Sequence, residues 1–258
     1  MPTDLADTAP RVASLAERPD LEPAMLAMDS SWPDYIRPDP VLVHWAFERH
    51  ARHQLVALDE EADEVTARAA SVPLRWSGAT DDLPDTGWDE ALRQCLADTH
   101  TGREPNTLCA LEVAVAPDRK ARKLSGRLLE ALKEHARGSG YHSVVVPVRP
   151  SRKHTRPDLS MSEYLALTRP DGLPEDPWLR VHVRLGGQPL KICPVSMTIS
   201  GSLAQWREWT GLPFDTSGPL EVPGALAPVV VDVEHDHATY VEPNVWVRHA
   251  LSEAPQRT

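Results

Sequence analysis

The chain has 258 residues, of which 41% are hydrophobic and 25% charged. That balance excludes a collagen-like or wholly disordered polypeptide, and at about 150 residues per domain the length allows one or two domains. Twenty-seven basic against thirty-eight acidic residues leave a net charge of −11, which argues against nucleic acid as a partner.

No run of apolar residues is long enough to span a bilayer, so no membrane partner is expected. The start, MPTDLADTAPRV, is acidic and lacks the apolar core of a secretory signal. Cys95, Cys109 and Cys193 are an odd count without metal-ligand spacing and read as reduced thiols. These features together predict a cytoplasmic protein.

In chain order, residues 1–11 read as a loose tail and Val12–Leu15 as a short strand. Asp20 is placed to cap a helix carrying Leu21, Met25, Leu26 and Met28 at helical spacing. Asp39, between Pro38 and Pro40, caps a second helix that runs to His53. Gln54–Leu58 and Val65–Leu74 read as strands. Between them Asp59–Glu64 holds five carboxylates in six residues, a solvated turn in preference to a carboxylate metal site. Residues 77–106 read as an insertion with a short helix at Trp88–Ala97. Leu108–Val115 is a strand. Leu124–Arg137 is a helix with Leu124, Leu128, Leu129, Leu132 and Ala136 on one face, ended by Gly138 or Gly140. Ser143–Val148 is a continuous apolar strand, the mark of burial on both faces. This strand–helix–strand unit implies a βαβ crossover with two near-parallel strands. Further on, helical stretches are expected at Ser162–Leu167, Pro177–Leu185 (ended by Gly186-Gly187) and Ser202–Trp209. Strands are expected at Leu190–Ile199, Val229–Val233 and Tyr240–Arg248, and residues 211–228 read as a Gly/Pro-rich connection.

Chemistry concentrates at the crossover. In Val113–Leu129, VAVAPDRKARKLSGRLL, five cations face one aspartate over Pro117–Arg127, a local charge of +4. A helix N-terminus offers free N–H groups and the positive end of its dipole, so with these cations it makes a seat for a phosphate or diphosphate; the alternative is a solvated basic loop. A second patch, Arg149, Arg152, Lys153 and Arg156, is also +4 and starts where the next strand ends. Both patches leave the carboxyl-end edge of adjacent strands, where open α/β sheets bind ligands. Glu234-His235-Asp236-His237 has the look of a metal cluster but sits between two strands and reads as a hairpin turn; no metal is expected.

These residues carry a resemblance. The strand with Val115-Ala116-Pro117, the basic loop, the helix opening Leu-Ser-Gly-Arg-Leu-Leu and the following strand resemble the acyl-CoA segment of the GNAT superfamily of N-acetyltransferases. The likeness runs over residues 12–76 and 107–200. It implies a mixed α/β fold, a single GNAT-like domain over 1–258 with an insertion at 77–106 and a C-terminal extension at 201–258. The family's loop, Arg/Gln-x-x-Gly-x-Gly/Ala, holds the coenzyme A diphosphate. Here its positions fall on Lys120, Lys123 and Ser125, a degenerate version. The resemblance implies that Lys120, Ala121, Arg122, Lys123, Leu124, Ser125 and Gly126 hold the diphosphate and that Val113 and Val115 line the slot for the pantetheine arm. The activity it implies is transfer of an acetyl or other short acyl group from acyl-CoA, by default acetyl-CoA, to an amine of a small molecule by direct attack.

Such a reaction needs a base and an acid for the leaving thiolate. Glu112, the carboxylate of the central strand, is the candidate base, with the register left open because a bulge there would flip the face presented; Cys109 competes for the position, and a solvent-facing role is the alternative. His182 falls where many members carry a tyrosine four residues before a glycine, and is the candidate acid or else a satisfied core histidine. Arg149, Trp178, Glu242, Asn244 and Trp246 are candidate acceptor-pocket residues, with core packing as the alternative for the tryptophans. A GNAT fold using a carrier-protein or aminoacyl-tRNA donor, and a non-catalytic binding module, remain as rivals, and a homodimer stays open.

Overall fold

Successive side chains on a strand point to opposite faces, and here that alternation sorts the core into two layers. The computed structural model describes residues 11–29, 32–59, 64–117 and 124–251. Its strands are β1 (Arg11–Ser14), β2 (Leu55–Leu58), β3 (Val65–Leu74), β4 (Thr107–Val115), β5 (Ser143–Val148), β6 (Gln188–Gly201), β7 (Gly218–Leu220), β8 (Val229–Asp232) and β9 (His237–Ala250). Among the described residues they form one nine-stranded mixed sheet in the order β1-β2-β3-β4-β5-β9-β8-β7, with β6 also paired to β9. The helices are α1 (Glu22–Ala27), α2 (Pro40–Arg49), α3 (Gly87–Thr101), α4 (Leu124–Gly138), α5 (Met161–Leu165), α6 (Pro177–Arg184) and α7 (Leu203–Thr210).

On one sheet face Val56, Val72, Cys109, Leu111 and Trp246 pack against Met25 of α1, Ala46 of α2, Leu92 of α3 and Trp206 of α7. On the other, Ala57, Ala67, Leu108, Val144 and Val247 pack against Leu128 and Leu132 of α4, Met161 of α5 and Leu179 of α6. The crossover is as expected: β4 and β5 are parallel and joined by α4, whose apolar stripe Leu124, Leu128, Leu129, Leu132 and Ala136 is buried. Pairing of β4 with β5 covers only Thr107–Cys109 and Ser143–Val145.

Several local expectations need correction. Asp20 does not cap α1: its carboxylate accepts from the Arg18 side chain at 2.9 Å, and Leu21 holds the cap position. Asp39 does cap α2, accepting from the Val41 and Leu42 N–H groups at 2.9 and 3.2 Å. The helix in residues 77–106 is longer than expected and belongs to the core, burying Trp88, Ala91, Leu92 and Cys95. Its first turn is capped from outside, by Ser196 Oγ of β6 accepting from the Trp88 N–H at 2.9 Å. Gly87 makes this possible: a Cβ there would collide with the Ser196 side chain, and its φ of +31° disfavours other residues. The 211–228 connection contains β7, which is too short to show a period. Residues 233–236 turn between β8 and β9, with His235 Nδ1 at 2.8 Å from the Asp232 carboxylate and His237 Nε2 at 3.0 Å from Thr239 Oγ1. The tail at 1–10 and residues 60–63 of the acidic turn lie outside the described residues. No described helix is long and apolar enough to cross a membrane.

Four histidines are buried: His50, His53, His182 and His249. Burial, the largest cause in each case, pushes their pKa values down to about 4, 3, 3 and 4. An unfolded histidine titrates near 6.5. Below that pH the unfolded chain takes up protons that the native state refuses, so stability is full above pH ~6.5 and falls toward pH 4. The slope is up to about 1.4 kcal/mol per pH unit per histidine. Melting temperatures measured at pH 7.5, 6 and 5 should drop steadily; a flat profile over this range would show that the histidines are not held neutral.

Candidate active site

The site follows from where β4 and β5 part. After Cys109 and Val145 the two strands no longer pair, and the wedge between them opens into a cleft of about 480 Å³. Val113 and Val115 form one wall and Val146, Val148 and Arg149 the other. Ser125, in the first turn of α4, brings the helix N-terminus to the rim. The positive end of the helix dipole therefore sits at the mouth.

A β-bulge shapes the inner end. Ser71 of β3 stands opposite Ala110, but its neighbour Ala70 stands opposite Glu112, so Leu111 is the extra residue. The bulge reverses the alternation. Leu108 and Ala110 point to the α4 face before it, and Val113 and Val115 point to that face after it. Glu112 is thereby turned toward α1, together with Leu111. There Arg68 meets it with two contacts, Nε to Oε2 at 2.9 Å and Nη2 to Oε1 at 3.3 Å. Arg68 Nη1 donates to the Met25 and Met28 carbonyls at 2.6 and 3.1 Å, tying the end of α1 to the pair. The carbonyl of the bulged Leu111 accepts from Trp88 Nε1 at 2.9 Å.

A second cavity, about 350 Å³, lies on the α1–α2 side. It shares Trp32, Trp88, Leu111 and Glu112 with the cleft. Two openings thus converge on one carboxylate, with Trp32 and Trp88 edge-to-face at 5.8 Å beside it.

The far wall of the cleft is a buried polar network. Arg149 Nε donates to Glu242 Oε2 at 2.9 Å, where Tyr240 Oη also donates at 3.0 Å, and Asn244 Nδ2 donates to Oε1 at 3.1 Å. Burial is the largest single influence on Arg149 and works against its charge, but Glu242, Tyr240 and Tyr35 together outweigh it and hold its pKa above the ordinary value. Burial raises the Tyr35 and Tyr240 hydroxyls as well.

The structure therefore brings Glu112, Val113, Val115, Ser125, Arg149, Trp178, Glu242 and Asn244 to the cleft. It does not bring His182 there. That ring is fully buried behind Trp178, whose ring centroid is 4.5 Å away, and its Nδ1 is 2.9 Å from His249 Nε2. A neutral, enclosed imidazole has no path to a leaving sulfur. Trp246 is also core: it is fully buried, and its Nε1 donates to the Pro84 carbonyl at 2.8 Å. Cys109 is buried, and burial raises its thiol, so it is no rival to Glu112. Three of the four cations of the second patch are engaged in structural contacts. Arg149 pairs with Glu242, Lys153 Nζ donates to the Arg156 and Leu226 carbonyls, and Arg156 pairs with Asp158. Leu124 is buried and Gly126 packs toward Val181. Lys120, Ala121, Arg122 and Lys123 lie outside the described residues.

Arg68, Trp32, Trp88, Asp29 and Asp34 were not anticipated from the sequence. Arg68 had a signal, being the one charged residue in Val65–Leu74 beside a strand with one carboxylate.

No family model matches the chain. It is 34% identical over 269 aligned positions, 92% of each chain, to the arginine N-acetyltransferase avaD of Aspergillus versicolor. Two solved structures share the fold. One is the loading GNATL domain of CurA from Lyngbya majuscula, with a TM-score of 0.56 and 16% identity over 93% of this chain and 96% of that one. The other is the GphF GNAT-like decarboxylase in complex with isobutyryl-CoA, with a TM-score of 0.57 and 18% identity over 94% and 98%.

Removing Arg68 leaves a largely enclosed carboxylate and two carbonyls without their donor. Arg68→Met should destabilise the protein by about 3 kcal/mol in urea unfolding, and Trp88→Phe, which orphans the Leu111 carbonyl, by about 1–2 kcal/mol. A change below about 0.5 kcal/mol in either variant would remove that contact from the account.

Proposed function

Because the chain belongs to the GNAT superfamily and is an N-acyltransferase, we propose that it moves an acetyl group from acetyl-CoA to a primary amine of a small molecule, with Glu112 as the group that receives the amine's proton. The observation that carries this reading is the convergence of two cavities on Glu112 at the bulge. The wedge between β4 and β5 takes the pantetheine arm, with Val113 and Val115 alongside it. The N-terminus of α4, with Ser125 at the rim and the cations of residues 119–123 preceding it, takes the diphosphate. The acetyl donor is supported by the relative that is itself an N-acetyltransferase, and the acyl-CoA class by the neighbour that holds isobutyryl-CoA.

The thioester carbonyl then lies at the inner end of the wedge, and the amine arrives from the α1–α2 side. Glu112, directly or through water, takes a proton from the ammonium. The neutral nitrogen attacks the carbonyl carbon, the C–S bond breaks, and the second proton lost by the nitrogen on becoming an amide passes, directly or through water, to the departing sulfur, so that coenzyme A leaves as a thiol. Beyond the last β4–β5 pair, main-chain groups of β4 face the wedge and are placed to stabilise the developing oxyanion. Arg68 keeps the Glu112 carboxylate in one orientation, a positioning role. Arg149, Trp178 and Asn244 shape the cleft wall.

Calorimetric titration with acetyl-CoA and a thiol-release assay against an amine panel test this reading. Tight binding and amine-dependent thiol release are expected. Glu112→Gln should retain acetyl-CoA affinity and lower kcat about a hundredfold or more. No binding at millimolar acetyl-CoA would point instead to a carrier-protein or aminoacyl-tRNA donor, or to a module without catalysis. An unchanged kcat would remove Glu112 from the mechanism.

A further inference from the structure

The outer half of the cleft is enclosed by elements that lie far apart in the chain. Val113 and Val115 of β4, Ser125 of α4, Trp178 of α6 and Ser151 in the turn after β5 all line it. On one side α6 closes against α4 at Gly126, where a Cβ would stand 3.7 Å from Val181. On the other side a carboxylate ties α6 to the turn after β5. Asp176, the residue before α6, is 2% exposed. Its Oδ1 accepts from the Trp178 and Leu179 N–H groups at 2.9 and 3.0 Å, and a helix cap needs no more than this. Its Oδ2 accepts from the Arg152 N–H at 2.8 Å and from Tyr164 Oη of α5 at 2.9 Å. Ser151 Oγ stands 3.4 Å from both oxygens. The two oxygens thus divide their work: Oδ1 orders the start of α6, and Oδ2 orders the turn that carries Ser151.

Resting on the acyl-CoA reading, we propose that Asp176 is a positioning residue for the donor: it sets the separation of Trp178 from Ser151 at which the slot accepts the pantetheine arm. Asp176 is not itself on the lining and acts through the two residues it holds. Trp178 is backed by the His182 ring, 4.5 Å away between centroids, so the wall on the α6 side is fixed and the turn is the part that Asp176 brings to it. A slot whose walls are already ordered spares the ligand the cost of ordering them, and affinity falls by that cost when one wall is released. The loss is confined to the arm. In this reading the diphosphate is seated at α4, to which Asp176 makes no hydrogen bond.

Asp176→Asn separates the two duties. Asparagine caps helices as well as aspartate does and keeps an oxygen for the Trp178 and Leu179 N–H groups, but it sets an amide NH2 against the Arg152 N–H, two donors facing each other. The test is calorimetric titration with two ligands: acetyl-CoA, and adenosine 3′-phosphate 5′-diphosphate, the same nucleotide without the arm. Asp176→Asn should weaken acetyl-CoA binding about tenfold, the scale of releasing one or two ordered side chains, and leave the nucleotide within about twofold of the wild type. A general loosening of the fold would weaken both ligands alike. If Asp176→Asn does not fold, Tyr164→Phe carries the test: it keeps the cap and the Arg152 bond and removes one donor from Oδ2, and it should weaken acetyl-CoA alone, by about threefold. Unchanged acetyl-CoA affinity, or equal losses for the two ligands, overturns the proposal. Wild-type protein that binds no acetyl-CoA overturns the acyl-CoA reading itself, and the proposal with it.

Discussion

One extra residue in β4 governs the geometry of this protein. Without the bulge at Leu111, strict alternation would send Glu112 to the α4 face, where Leu108 and Ala110 point. A carboxylate there would meet the packed side chains Leu128 and Leu132. The bulge turns Glu112 to the face that carries Arg68, and restores Val113 and Val115 to the α4 side, where they form a smooth apolar wall. A bulge also bends its strand and sharpens the local twist, and it lies just beyond the point where β4 stops pairing with β5. Opening of the cleft and presentation of the carboxylate are two consequences of the same irregularity.

An irregular strand in a buried sheet has to be held in place, since its displaced main-chain groups still need partners. The partners here come from the elements that line the cavities. Trp88 of α3 takes the Leu111 carbonyl, and Arg68 of β3 takes Glu112 and the carbonyls of Met25 in α1 and Met28 just after it. α3 is in turn fixed by the contact between Trp88 and Ser196 at the irregular stretch of β6. The cleft walls are therefore stabilised by the same contacts that support the sheet. The opposite wall follows a similar logic. Glu242 is almost wholly buried, at 1% exposure, which is tolerable only because Arg149, Tyr240 and Asn244 saturate its oxygens. That network joins the end of β5 to β9.

Much of the framework was legible because its physics is local. The apolar stripe of α4, the apolar run of β5 and the proline-flanked Asp39 cap each act within a few residues, and each appears in the structure where the sequence places it. The basic stretch before α4 also marked the crossover as the seat of chemistry. What was not legible depends on partners far along the chain. The bulge has no residue signature of its own, because it arises from the register of β3 against β4. Spacing from Gly186 singles out His182, yet spacing is silent on burial, and the ring sits against His249, 67 positions away. Cations at Arg149–Arg156 look like an anion site until Glu242, the Leu226 carbonyl and Asp158 are seen beside them. α3 looked like an appendage because its neighbours on β3 and β6 are remote in sequence.

The two cavities also explain why their chemistries stay apart. In the proposed reading, a thioester entering the wedge would meet Val113 and Val115, the N-terminus of α4 and an internally neutralised Arg149–Glu242 pair. An amine entering from the α1–α2 side meets aromatic rings and carboxylates. Each ligand is drawn along a surface of suitable character, and the surfaces meet at Leu111 and Glu112. The segment between α1 and α2 meets the shared junction through Trp32, which lines both cavities, and through the Met28 carbonyl, which accepts from Arg68. The wedge is thus set by strand register, whereas the second cavity is set by Leu26 of α1, Val43 and Phe47 of α2 and Trp88 of α3 laid against the sheet.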